Sequence, residues 1–294
     1  MERSEQVETR EEIISPPTME KLEDYKKRFE GCLIMERKNG ILEVRMHTGG
    51  GPVRWSHAMH RALIDAWSVI GHDLENEVMI LTSTGEHWMG TFDHEAFARW
   101  DAVREPDLRY DGLRRPTKSV ENIIFDIDIP TIAAINGPGG LHINFALLSD
   151  IVLCTPDFVL RDHHFQSGAV PGDCVGLCLQ GLLGMRRAAY MMYMSNGIDA
   201  KTALEWGVVS EIVQRDKLLV RAWEIAEEIM KQPRVVRRLT CQLVKRPWKK
   251  LLLDDYQLHI ANEIYAHNLT GRVHDFDKVS AKWTEAEKWT EAEK

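Results

Sequence analysis

At 294 residues and 44% hydrophobic content, the chain is long enough to bury a sizeable core and has the composition of an ordinary globular enzyme. Its formal net charge of -8 is spread without a basic stripe, which argues against nucleic acid or an anionic membrane surface as a partner, and its apolar runs fall well short of a membrane span. Met1 to Glu12 is charged throughout and lacks the apolar core of a signal peptide, while Cys32, Cys154, Cys174, Cys178 and Cys241 form no Cys-x-x-Cys pair, so they read as reduced thiols of a cytoplasmic protein.

Residues 1–25 read as an N-terminal tail, broken at Pro16 and Pro17. Strands are predicted from Cys32 to Arg37 and from Ile41 to Met46, joined by Asn39 and Gly40, a strong signal for a two-residue hairpin. Ser56 suits the N-cap of a helix running to about Gly71, in which Ala62, Leu63, Ala66 and Ile70 share a face. Val78 to Leu81 reads as a short buried strand. The charged, proline-punctuated stretch from Ala102 to Lys118 reads as a mobile loop over a site, or as an exposed connector; its arginines would suit a nucleotide phosphate.

An apolar run from Ile132 to Ile135, the turn Asn136, Gly137, Pro138, Gly139, Gly140, a helical apolar stretch from Ile143 to Leu148, and a second run from Asp150 to Leu153 read as strand, glycine-rich turn, short helix, strand. FVLRDHHFQSGAVPGD follows, with Asp173 placed to cap a helix starting near Cys174. Further on, Asp199 and Ala200 start a helix, Val208 to Val213 reads as a short strand, and the helices from Leu218 onward are amphipathic. The end repeats KWTEAE in tandem; its Glu and Lys spacing suits a solvated helix, and it reads equally well as a duplication or an appended sequence.

In this order the pieces resemble the enoyl-CoA hydratase/isomerase (crotonase) superfamily, from about Cys32 to the helix around Glu263. The resemblance implies an α/β crotonase fold of repeated ββα units over 26–213, a helical trimerisation region over 214–272 and a charged tail over 273–294. It also implies a homotrimer or a dimer of trimers. In hydratases of the superfamily, two glutamates serve as acid and base toward an enoyl thioester. Carried over, those positions hold Asn144 and His164 here. Both acids are missing.

The departures are patterned. Gly139, Gly140, Leu141 and His142 stand where three glycines usually supply an oxyanion donor, and the turn is one residue shorter. Together with His164 followed by Pro171, Gly172 and Asp173, this is similar to the β-diketone hydrolase, or 6-oxocamphor hydrolase, branch; Trp55 and Glu263 are further matches. The implied activity is a cofactor-free and metal-free hydrolysis of a carbon–carbon bond in a small hydrophobic cyclic 1,3-diketone. A histidine holds or releases a proton near neutrality, and a carboxylate on one ring nitrogen fixes its tautomer. His164 with Asp173 is thus expected to activate water, and His142 to donate a hydrogen bond to the carbonyl that gathers charge. Glu263 and Trp55 would orient a carbonyl or the water.

Several positions keep two readings. The DHHF doublet allows His163 or His164 to point inward if both lie on a strand; His164 is preferred because it aligns with the glutamate position. Asp162 is a supporting partner or solvated, Asp173 a cap as well as a site residue, Trp55 packing or substrate contact, and Glu263 a site residue or a solvated helix residue. Gly90 occupies the slot of the other oxyanion donor, flanked by Trp88, Met89, Thr91 and Phe92, so that Trp88, Gly90, Phe92 and Leu141 are expected to shape a tight substrate pocket or fill the core. Alternative functions are an acyl-CoA enzyme of the same fold and a catalytically silent binding or assembly subunit.

Overall fold

A computed structural model describes residues 20–270, except 94, 97–98, 100–104 and 195–196. Its six-stranded sheet begins with β1 (Leu33–Lys38) and β2 (Ile41–Met46), the expected antiparallel hairpin. Asn39 (φ 53°) and Gly40 (φ 82°) form its turn, in the left-handed region that these two residue types tolerate best. β4 (Val78–Ser83), β6 (Thr131–Ile135), β7 (Ile151–Cys154) and β10 (Glu211–Ile212) then add in parallel, giving the order β1-β2-β4-β6-β7-β10. β4 and β6 are buried at every position. That is the mark of a parallel sheet covered on both faces. Two small pairs lie outside it: β3 (Arg54–Trp55) runs parallel to β5 (Thr91–Phe92), and β8 (Val159–Leu160) antiparallel to β9 (Ile198–Asp199).

Period-two alternation divides the strand side chains between two cores. Ile41, Val78, Ile80, Ile132, Ala134 and Leu153 meet Leu218, Ala222 and Ala226 of a helix, Arg215–Met230. On the opposite face, Met79, Leu81, Ala133 and Ile135 join the larger core with the helix His57–His72. There, Ser56 Oγ accepts from the amide of Met59 at 3.2 Å, as expected of its cap, and Leu63, Ala66 and Ile70 are buried together with Met59 and Trp67.

The stretch expected to be a loop is helical instead: Pro106–Phe125 forms a continuous helix, while 102–104 lie outside the described residues. Pro106 sits in its first turn, where no intrahelical N–H is required, and the Glu105 carboxylate accepts from the amides of Asp107 and Leu108. Val120, Ile123 and Ile124, beyond the charged part, bury this helix in the core. The strand expected over Val208 to Val213 shrinks to β10. A short helix, Leu22–Arg28, straddles the boundary drawn at residue 25, with Leu22 and Tyr25 buried. The KWTEAE repeat lies outside the described residues.

The C-terminal helices Arg234–Leu251 and Gln257–Thr270 are joined by a π-helical turn, Leu252–Tyr256. Arg237 pairs with Glu77 at 2.6 Å and Arg238 with Asp128 at 2.7 Å; the buried Lys245 donates to the carbonyl of Ile127 at 3.0 Å. These contacts tie the helix Arg234–Leu251 to the segments that lead into β4 and β6. Among the described residues no helix is long and apolar enough to cross a membrane.

Candidate active site

The turn after β6 is clamped on both sides. Asn136 Nδ2 donates to the carbonyl of Gly85 at 2.7 Å and the Trp88 amide to that of Pro138 at 3.1 Å; Arg215 donates to the carbonyls of Asn136 and Glu86. The turn ends at His142, whose φ of 45° is costly for any residue with a Cβ and is tolerated because its surroundings are fixed. The His142 ring lies on the Trp55 indole, with centroids 3.8 Å apart and planes tilted by 31°. His60 meets both rings edge-on, at 4.8 Å from His142 and 4.6 Å from Trp55.

His164 enters from a different element. It precedes a single 3-10 turn, Phe165–Ser167, and has helical dihedrals (φ −52°, ψ −56°). Strand alternation, the ground for weighing His163 against His164, therefore does not operate here. What orients His164 is Asp162: its Oδ1 accepts from the His164 amide at 3.2 Å and pairs with Nδ1 of the ring at 2.6 Å. The opposite ring nitrogen, Nε2, lies 3.7 Å from Asp173 Oδ2, which is also 3.8 Å from His142 Nδ1. Asp173 thus stands between the two imidazoles. Its other oxygen accepts from the Val175 amide at 3.3 Å, at the start of the helix Val175–Met194, so capping and site placement coincide.

Glu263 reaches the cluster from the last helix. A Cβ on Gly172 would lie 2.4 Å from the carbonyl of His259 and 2.9 Å from Glu263 Oε2. Only glycine lets the Pro171-Gly172-Asp173 turn and this helix approach so closely. Glu263 is 8% exposed and Asp162 4%.

Burying several carboxylates around one imidazole separates their proton affinities. Burial pushes Glu263 up to about 8, against the pull of His164, and raises Asp173 in the same way. Burial alone would lower His164, but Asp173, Asp162 and Glu263 together hold it well above its ordinary value of 6.5. Asp162 falls below the usual carboxylate range because, despite burial, it is paired with His164. A group that must be deprotonated to act as base is lost as pH falls through its pKa, so the acidic limb of kcat/KM is expected to lie above pH 6.5. A pH–rate profile checks this; a limb at or below that value would mean that another group is the base.

Of the remaining expected residues, Trp88 is wholly buried, with its indole N–H 3.5 Å from the His142 carbonyl. Phe92 pairs with Trp55 across β3 and β5, and, like Leu141, is partly buried against the core. Gly90 lies against the His87 side chain, 3.3 Å from where its Cβ would be. Asn144 is buried in the short helix Asn144–Leu147, and neither Oδ1 nor Nδ2 has a hydrogen-bond partner among the described residues. His60 was not singled out from the sequence, and nothing local marks it. Asp162 carries a local signal, since an aspartate two residues before a structured backbone amide favours this kind of turn. Among the described residues no group of three or more His, Cys, Asp or Glu is arranged to hold a metal ion.

The enoyl-CoA hydratase/isomerase family profile matches residues 36–291. Carnitinyl-CoA dehydratase from Salmonella heidelberg (strain SL476) is 29% identical over 205 residues, which are 67% of this chain and 74% of the dehydratase. The structure of a β-diketone hydrolase from the cyanobacterium Anabaena sp. PCC 7120, bound to (S)-3-oxocyclohexyl acetic acid, superposes with a TM-score of 0.78 at 34% identity, covering 84% of this chain and 98% of that one. An enoyl-CoA hydratase/isomerase from Mycobacterium paratuberculosis shares the fold at a TM-score of 0.74 and 20% identity, covering 86% and 98% of the two chains.

Proposed function

The chain belongs to the enoyl-CoA hydratase/isomerase family, and from that membership we propose that it is a cofactor-independent hydrolase cleaving a carbon–carbon bond of a cyclic 1,3-diketone by a retro-Claisen mechanism. The observation that carries the proposal is the convergence of His142 and His164 on Asp173, with Nδ1 and Nε2 at 3.8 and 3.7 Å, in a site without the paired glutamates of a hydratase. The similarity to the Anabaena β-diketone hydrolase points the same way.

The His164–Asp173 pair takes a proton from water as the oxygen attacks one carbonyl carbon. The tetrahedral intermediate then breaks its bond to the carbon between the carbonyls, and the electron pair becomes an enolate on the second carbonyl. His142 donates a hydrogen bond to that oxygen as its charge grows. Returning the proton to the enolate carbon gives a ketone on one side and a carboxylate on the other, with one water consumed. Glu263, protonated at neutral pH by its burial, orients a carbonyl or the water. The neutral amide of Asn144 stands where a hydratase needs a charged acid–base group. Trp55 holds the His142 ring, and Trp88, Gly90, Phe92 and Leu141 shape the pocket around a compact hydrophobic substrate.

The similarity to carnitinyl-CoA dehydratase favours a second reading, an enzyme acting on a CoA thioester. Purified protein is assayed for loss of 1,3-diketone absorbance on mono- and bicyclic diketones, with crotonyl-CoA and carnitinyl-CoA in parallel. Cleavage of a diketone to a keto acid supports the first reading; turnover of a thioester alone overturns it. His142→Ala is expected to lower kcat on the order of a hundredfold, and an unchanged kcat removes the enolate-stabilising role. We also propose a homotrimer, or a dimer of trimers, assembled through the C-terminal helices. Leu239 and Leu243 there are 57% and 76% exposed in the single chain, and the mass in solution tests the assembly.

A further inference from the structure

We infer that Asp162 is the positioning residue of this site: it holds the proton on Nδ1 of His164 and so leaves Nε2, facing Asp173, as the nitrogen that exchanges protons during the reaction. The inference rests on the reading of His164 and Asp173 as the water-activating pair, and it gives a specific task to Asp162, which the sequence left as either a supporting partner or a solvated residue.

Three features carry it. The first is distance. Asp162 Oδ1 is 2.6 Å from Nδ1, a full hydrogen bond, whereas Asp173 Oδ2 is 3.7 Å from Nε2. A carboxylate–imidazole contact of the first kind selects a tautomer, whereas one of the second kind lies beyond hydrogen-bond distance. The second is local rigidity. The same Oδ1 accepts from the His164 amide at 3.2 Å, so the carboxylate grips backbone and ring together and fixes the side chain against its own turn. The third is burial, with the Asp162 side chain 2% exposed and the His164 side chain 20%. Away from water the charge–imidazole contact is little screened.

The groups that act on the His164 ring electrostatically come from several elements. Asp162 lies on its own segment, Asp173 at another turn, where it also meets His142, and Glu263 and His267 on the last helix. His163 acts on Asp162 from the adjacent position. The two aspartates have separate tasks. Asp162 sets which nitrogen keeps its proton, while Asp173 sits on the reacting side between both imidazoles.

The test uses 15N NMR of histidine-labelled protein, with the His164 resonances assigned by their loss in His164→Ala. No variant is needed for the first reading: as pH rises, Nε2 of His164 is expected to lose its proton while Nδ1 keeps it. Loss of the proton from Nδ1 overturns the inference. Asp162→Asn preserves the shape and an acceptor but removes the charge, so the His164 titration midpoint is expected to move down; an unmoved midpoint also overturns it. In the activity assay, Asp162→Ala is expected to lower kcat on the order of a hundredfold with KM little changed. The acidic limb of its pH profile should move down in step with the midpoint. The titrations require no substrate. If diketone cleavage is not found but Nδ1 keeps its proton, the proposed reaction fails and the role of Asp162 in setting the tautomer stands; active protein with a mobile tautomer means the reverse.

Discussion

Replacing His164 with alanine is expected to reduce diketone cleavage by about two to four orders of magnitude, the contribution typical of a positioned proton-transfer group, while the protein still folds. The ring meets both Asp162 and Asp173, at 2.6 and 3.7 Å. Without it, no imidazole lies between the two carboxylates. The cost to folding is bounded: Asp162 loses its ring partner but keeps the residue 164 amide as a donor, and breaking a buried pair costs at most about 3–5 kcal/mol. Circular dichroism and thermal melting report the fold, and the absorbance assay reports turnover. His163→Ala is the control and should retain activity. The opposite result, an active His164→Ala with an inactive His163→Ala, would mean that the neighbouring imidazole is the base.

The same variant has a pH signature. His164 has a raised folded-state pKa, so the stability it contributes is fully present below its ordinary value of 6.5 and is lost as pH rises through the raised value. The His164→Ala protein should show a flatter dependence of melting temperature on pH across that interval. An identical dependence in both proteins would place the shifted proton elsewhere in the cluster.

Gly137→Ala is expected to have the largest structural effect. A Cβ at this position would lie 1.7 Å from the carbonyl oxygen of Glu86 and 2.7 Å from its carbon. Both obstacles are backbone atoms, so no side-chain rotation relieves the clash. The turn or the chain around Glu86 must move, and Arg215 holds the two together by donating to the carbonyls of Glu86 and Asn136. Overpacking of this kind costs about 1–3 kcal/mol or more. It would also displace the turn that ends at His142, so activity is expected to fall further than stability alone explains. Gly31→Ala is the matched control, because nothing lies within 4 Å of the added Cβ. Equal melting temperatures for the two variants would show that the turn is not clamped.

Much of the frame was legible because local chemistry and tertiary packing agree there. Asn39 and Gly40 encode a hairpin, Ser56 a helix start, and the run Val78 to Leu81 a strand buried on both faces, whatever else the chain does. The Ile132 to Leu153 order of strand, glycine turn, short helix and strand was readable for the same reason. The stretch after Ala102 misled because proline and charge are ambiguous in one dimension. Proline in the first turn of a helix starts it rather than breaks it, and the apolar residues that bury this helix lie beyond the stretch that looked like a loop.

By itself the sequence made the fold class, the two candidate histidines and the acid after Pro171 and Gly172 legible, through motifs that resemble those of the family. Only the tertiary structure decided how the site is wired. The split of Asp173 between His142 and His164, the approach of Glu263 over Gly172, the His142 ring on Trp55 with His60 edge-on to both, and the tight grip of Asp162 on His164 are distances between side chains that folding brings together. An imidazole's tautomer and proton affinity follow from such distances and from burial, which fall off within a few ångströms. Spacing along the chain does not specify them.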